Sequence, residues 1–174
     1  MSRLTVRLSR EELSDCSQAA ALRSQLARAS GVANQRRDGA RTDREIDEAG
    51  IKGECAVSKV LEIPFVASKL GIDSGADLWF CDKSIDVKTT FYPTGLLLFK
   101  TDKSFRADCA VLVSTTDEEA VMTVHGYISR PEFLRVADTR DLGWGPGRCV
   151  DQDALRPMHQ LLKLKLQQYE VSDD

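Results

Sequence analysis

The order of hydrophobic patterns along the chain predicts an α/β (α+β) domain, with a mixed central β-sheet flanked by helices. Three observations carry that expectation. A strongly patterned helical stretch, Thr42 to Leu61, comes before the strands. Several short runs rich in β-branched and large apolar residues then follow one another from Ala76 to Ile128. Helical patterns return only after Ser129.

Composition bounds the answer. A chain of 174 residues is long enough for one domain with a sizeable core and a small extension. The expected division is an N-terminal strand and helix arm over residues 1–40 and a core over residues 41–174. Hydrophobic residues at 42% and charged residues at 29% are ordinary for a globular domain. No apolar run reaches membrane-spanning length, and the first residues lack a signal-peptide core, so no membrane partner is expected. The five cysteines are odd in number and widely spaced, which fits reduced thiols in a cytoplasmic protein. With only two histidines, a structural zinc site is not expected. The net charge of −3 excludes a protein that coats DNA by charge alone. That average conceals an asymmetry. Residues 1–44 hold nine arginines against five acids, a local +4, which leaves −7 for the rest. The arginines read equally as a solvated helix face or as DNA contacts.

Leu4, Val6 and Leu8 alternate with polar residues, the pattern of a short strand. Ser9-Arg10-Glu11-Glu12 is a capping box, and Leu8 and Leu13 are placed for a hydrophobic staple. The helix it opens should run from about Arg10 to Ser30 and stop at Gly31. It is alanine-rich and weakly amphipathic, so it packs loosely or against a partner. Asn34 to Arg41 reads as a polar linker. Thr42-Asp43-Arg44-Glu45 is a second capping box. The helix after it gathers Ile46, Ala49, Gly53, Ala56, Val57, Val60 and Leu61 on one arc, with Glu54 at its margin. Gly50 and Gly53 cost helix propensity, and close approach to a sheet would offset that cost. Pro64 follows the helix end. Further along, Leu96–Phe99, Cys109–Ser114 and Val121–Ile128 read as strands. Arg130 to Leu134 opens a short helix with Pro131 at a tolerated early position. Gly143 to Gly147 is a rigid loop, Arg148–Val150 a closing edge strand, and a last helix starts at Pro157.

The chemistry concentrates between Gly75 and Thr90. Two strand-forming runs, Ala76–Phe80 and Ser84–Thr90, flank a polar tip at Asp82 and Lys83, which predicts a β-hairpin. Pairing Phe80 with Ile85 would set Trp79 opposite Asp86 and Asp77 opposite Lys88. Asp77, Asp86 and Lys88 would then share one face. A three-residue loop would slip the register by one and separate Asp77, unless a bulge restored it. Two carboxylates and an ammonium on one face suit a divalent cation, with the lysine to orient or deprotonate water.

Glu54 on a helix, Asp77 on a strand, and Asp86-Val87-Lys88 on the next strand, in that order, resemble the PD-(D/E)XK nuclease superfamily. The segments Ala107–Val113 and Val124–Ile128 also look like small phage-encoded and bacterial members. The resemblance spans about Thr42 to Arg156, and it departs from the name-giving motif in having Gly-Ala rather than Pro before Asp77. It implies a restriction-endonuclease-like core and a metal-dependent DNA nuclease, an endonuclease acting in a bacterial or phage-infected cytoplasm. Asp77, Asp86 and the carbonyl of Val87 would hold Mg²⁺ or Mn²⁺, and Glu54 would complete the set directly or through water. Lys88 would position the nucleophile, and Thr90 would hydrogen-bond water or phosphate. The partner would be DNA, with a homodimer where both strands are cut and no small-molecule cofactor.

Each residue also has a plainer reading. Asp86 and Lys88 can be an exposed ion pair, Asp77 a turn residue after Gly75, and Glu54 a solvated margin residue. Lys100, Lys103 and Arg106 are candidate DNA contacts, although a charged loop of this kind is more often simply solvated. His125, Trp79 and Trp144 read as packing residues, and Asp108 as a strand-start residue. Two other functions compete with the nuclease: an inactive or partner-dependent DNA-binding or structural protein on the same fold, and a ribbon-helix-helix-like N-terminal arm.

Overall fold

A computed structural model describes residues 3–29, 41–66, 75–143 and 145–171. The linker expected from Asn34, the helix stop at Gly31 and the side chain of Trp144 lie outside the described residues.

The chain begins with strand β1 (Leu4–Arg7) and helix α1 (Arg10–Ala29). The Ser9 capping box closes as expected, since the Glu12 amide donates to Ser9 Oγ at 3.1 Å and the Ser9 amide to Glu12. Helix α2 (Asp43–Leu61) opens on a complete capping box at Thr42 and ends at Glu62 in the left-handed conformation. The hairpin strands are β2 (Leu78–Phe80) and β3 (Lys83–Thr90). They are followed by β4 (Leu97–Phe99), β5 (Cys109–Thr115) and β6 (Val121–Ser129). Helix α3 (Arg130–Val136), strands β7 (Asp138–Asp141) and β8 (Pro146–Val150), and helix α4 (Met158–Val171) complete the chain.

The result is a mixed α+β architecture. Five strands form the central sheet in the order β1-β6-β5-β3-β2, antiparallel except for the parallel pair β3–β5. A parallel neighbour requires a crossover. Here the crossover carries β4 and a 3₁₀ turn, Asp102–Ser104, and β4 joins a separate antiparallel sheet in the order β4-β8-β7. Each face of the central sheet has its own core. Ile85, Val87, Val111 and Val124 pack with Ile51, Val57 and Leu61 of α2 on one side. On the other, Ala110, Leu112 and Ile128 pack with Leu97, Phe99, Phe105 and Phe133. The Phe99 and Phe105 rings stack at 4.3 Å, and Phe133 meets both edge-on.

Four expectations change. The N-terminal residues are not an arm apart from the core: β1 pairs with β6, and Val6, Leu8, Cys16, Ala19 and Ala20 belong to the core around α2. The small residues of α1 are what let it lie against α2. The weak amphipathicity shows instead as Leu22 and Leu26, 44% and 49% exposed. Arg148–Val150 is not a closing edge, because β8 is the middle strand of the second sheet. The partner β7, Asp-Thr-Arg-Asp, has no apolar residue to announce it.

The third change is the hairpin register. Phe80 pairs with Lys83 and Leu78 with Ile85, two residues tighter than expected. The cause is the turn. Cys81 and Asp82 both have positive φ, 49° and 59°, so two residues close the hairpin. An even slip preserves the faces, and the paired register runs from Phe80 back to Leu78. Asp77 itself lies just before β2, though its amide still donates to the Ile85 carbonyl at 2.8 Å. The fourth change is Trp79. It is 60% exposed and is not a packing residue.

Candidate active site

Helix α2 and the hairpin supply the four candidate catalytic residues, and a glycine sets how closely they approach. A Cβ on Gly53 would stand 2.0 Å from Thr89 Oγ1, so only glycine lets α2 settle on β3 at this level. The next residue is Glu54. Its side chain is 14% exposed, and its carboxylate sits 3.5 Å from Arg23 Nη1 of α1. Burial first, then the neighbouring charge of Asp77, pushes the Glu54 carboxyl up to about 7, with Asp86 adding to the rise against the opposing pull of Arg23. The Glu54 carboxyl thus senses both hairpin charges, Asp77 more strongly than Asp86.

On the hairpin, Asp77 Oδ2 accepts the Val87 amide at 2.7 Å. That bond spans the end of β2 and holds the carboxylate against the strand. The N–H and C=O of one strand residue project to the same edge. The Val87 carbonyl therefore faces the edge that Asp77 occupies. Asp86 is buried at 6% exposure, and Lys88 Nζ lies 2.6 Å from its Oδ1. Lys88 also stands 5.0 Å over the Phe99 ring. The exposed surface pair of the plainer reading is thus not what forms, because one partner is buried.

The donor set can be tested against a divalent cation. Hard oxygen donors from Glu54, Asp77, Asp86 and the Val87 carbonyl are the right chemistry, and the charge of Asp77, which adds to burial in raising the Glu54 carboxyl, is repulsion that a cation would relieve. Their present spacing is looser than a ligand shell. Among the described residues no three His, Cys, Asp or Glu side chains meet at metal-holding distance. The residues fit the ion in kind, with Lys88 drawn onto Asp86 and Arg23 beside Glu54 as the charges that balance them now.

The remaining candidates divide. Thr90 and Lys100 line a cavity beside Lys88. Arg106 lies against Gly75, two residues before Asp77, where an added Cβ would stand 2.9 Å from its Nε. Lys103 stands on the exposed 3₁₀ turn. His125 is buried, its Nε2 2.8 Å from Ser114 Oγ, and burial lowers its pKa, as suits a packed neutral histidine.

Two residues gained roles that their local sequence does not signal. Asp108 Oδ2 accepts from the Ser84 amide at 2.8 Å and from its hydroxyl at 2.7 Å. Those bonds pin β3 to β5 where the parallel pair begins, and they hold the Asp108 carboxyl below its usual range. Arg23 is one of nine N-terminal arginines, and only its contact with Glu54, across 31 positions of chain, sets it apart.

Comparison with protein-family profiles, with curated proteins and with solved structures found no match. No helix among the described residues is long and apolar enough to cross a membrane.

Proposed function

We propose that this chain is a metal-dependent DNA nuclease, a phosphodiesterase built on a restriction-endonuclease-like arrangement of α2 and the β2–β3 hairpin. The observation that carries the reading is a largely buried Glu54 carboxyl, raised to about 7 by burial first and the charge of Asp77 second, together with the Asp86–Lys88 pair and the Asp77–Val87 bond on the hairpin. Acids on α2 and on the hairpin, near enough for Glu54 to sense Asp77 and Asp86, supply the oxygen donors such a site needs.

In this reading Asp77, Asp86, the Val87 carbonyl and Glu54 hold Mg²⁺ or Mn²⁺. The bound ion supplies Lewis acidity toward the phosphate and acidifies a water. The chain does the rest. Asp77 is kept in place by the Val87 amide. Lys88 exchanges its contact with Asp86 for the attacking water and offsets charge gathering on the non-bridging phosphate oxygens. Thr90, on the same face, hydrogen-bonds phosphate or water.

One observation favours a second reading, a DNA-binding or structural protein that does not cut. The 2.6 Å Lys88–Asp86 pair is a self-neutralised arrangement, stable without an ion. Plasmid, linear and four-way-junction DNA incubated with Mn²⁺ separate the two. The nuclease reading expects cleavage by wild type and none by Asp86→Ala or Lys88→Ala with unchanged circular dichroism. Salt-sensitive binding without cleavage under Mg²⁺ or Mn²⁺ supports the scaffold instead.

A further inference from the structure

Beside the acidic cluster, on the Lys88 face of the central sheet, is a cavity of about 940 Å³. It is walled by the turn after β3, the second sheet and the first turns of α2. Lys88 is part of its lining, and Lys88 also touches Asp86, so the cavity is continuous with the candidate site. Its walls are largely apolar, including Phe91, Tyr92, Leu98 and Phe99. Tyr92 is 60% exposed, and Phe91 is braced from behind by the Arg41 guanidinium 4.0 Å from its ring centre. Charged groups of both signs meet there: Asp43 and Asp47 from α2, Lys88 from β3, Lys100 just after β4 and Arg140 from β7.

We propose that this cavity receives one unstacked nucleotide of the substrate strand, adjoining the phosphate to be cut. The proposal rests on the nuclease reading and narrows its substrate to strands with unpaired nucleotides: single strands, flaps or junctions. The volume lies within the ~300–1,000 Å³ of small-ligand pockets. An exposed aromatic such as Tyr92 offers a stacking surface to any base. Asp47, whose Oδ2 accepts the Ser24 hydroxyl at 2.8 Å, is a carboxylate acceptor of the kind that suits the exocyclic amines of adenine, cytosine and guanine. Lys88 and Lys100 suit the phosphates on either side. A base in continuous duplex cannot enter without being unstacked and unpaired, at a cost of a few kcal/mol.

Binding tests this without cleavage. Anisotropy of a fluorescein-labelled oligonucleotide, single-stranded or annealed into a blunt duplex, is measured without added divalent metal. Wild type is compared with Tyr92→Ala, which removes the stacking ring, and Thr94→Trp, which fills the cavity from an exposed position. The single strand is expected to bind about tenfold tighter than the duplex, and each variant to lose about tenfold of that affinity while keeping duplex affinity. Equal affinity for both DNAs, or variants that bind the single strand as wild type does, overturns the proposal. Cleavage with Mn²⁺ is scored separately. Cutting without strand discrimination sinks the pocket and leaves the nuclease reading standing, whereas discrimination without cutting does the reverse.

Discussion

Helix α2 carries two clusters of acids around a lysine, and they behave as opposites. In one, Lys52 lies between Glu48 at 2.8 Å and Glu119 at 3.4 Å. The lysine is the buried member, 10% exposed, and Glu119 reaches solvent at 77%. The cation sits at the centre, and the acids are free to spread. In the other, two acids are withdrawn from water, Glu54 at 14% and Asp86 at 9% side-chain exposure, while Asp77 is exposed and Lys88, paired with Asp86, is 40% exposed. Composition is nearly the same. What differs is which sign of charge is withdrawn from water: the lysine in the first cluster, Glu54 and Asp86 in the second. In the proposed reading it is this inversion, rather than the count of acids, that suits the second cluster to a metal.

The largest test of this contrast is catalytic. Asp86→Ala is expected to lower Mn²⁺-dependent cleavage at least ~10³-fold, consistent with the loss of a group acting on developing charge. Glu119→Ala, in the other cluster, should leave the rate within about twofold and shift thermal stability little, since exposed pairs contribute about 0–1 kcal/mol. Similar rate losses in both variants would erase the distinction between the clusters.

A smaller effect falls on stability. The Glu54 carboxyl is raised in the folded chain, so the native state holds its proton where the unfolded state has lost it. Metal-free stability should therefore decline as pH rises from about 4.5 to about 7, then level off. Glu54→Gln removes that penalty. It should stabilise the metal-free protein by about 2 kcal/mol above neutrality, with the gain vanishing below about pH 4.5. Urea unfolding at several pH values reads this directly, and a destabilised Gln variant at alkaline pH would contradict it.

Smaller again is the packing that seats Glu54. Gly53→Ala should cost about 1–3 kcal/mol, because its Cβ overlaps Thr89 Oγ1. Adding Thr89→Ala should recover part of that loss, and strict additivity in the double-variant cycle would mean the two do not touch.

Much of this was legible in the sequence, for identifiable reasons. The Thr42 capping box marks the start of α2 to the residue, since its signal is local. The alternation Asp86-Val87-Lys88 puts acid and lysine on one face whatever the register, because an even slip leaves faces unchanged. The register itself was hidden: Cys81 and Asp82 take left-handed conformations without the glycine or asparagine that usually announces them. The second sheet was hidden as well, because β7 is wholly polar and β8 contains Pro146 and Gly147. The Arg23–Glu54 contact depends on how α1 lies across α2, and no spacing along the chain encodes that.

The central claim is that Glu54, Asp77 and Asp86 surround a place for one divalent ion. Calorimetric titration with Mn²⁺ across the pH range tests it most directly. Wild type should bind one ion, with affinity falling about tenfold per pH unit below about 7 as the Glu54 proton competes, and levelling off above. Glu54→Gln should bind more weakly and lose that step. A pH-independent affinity shared by both proteins, or no saturable binding above neutrality, would contradict the account.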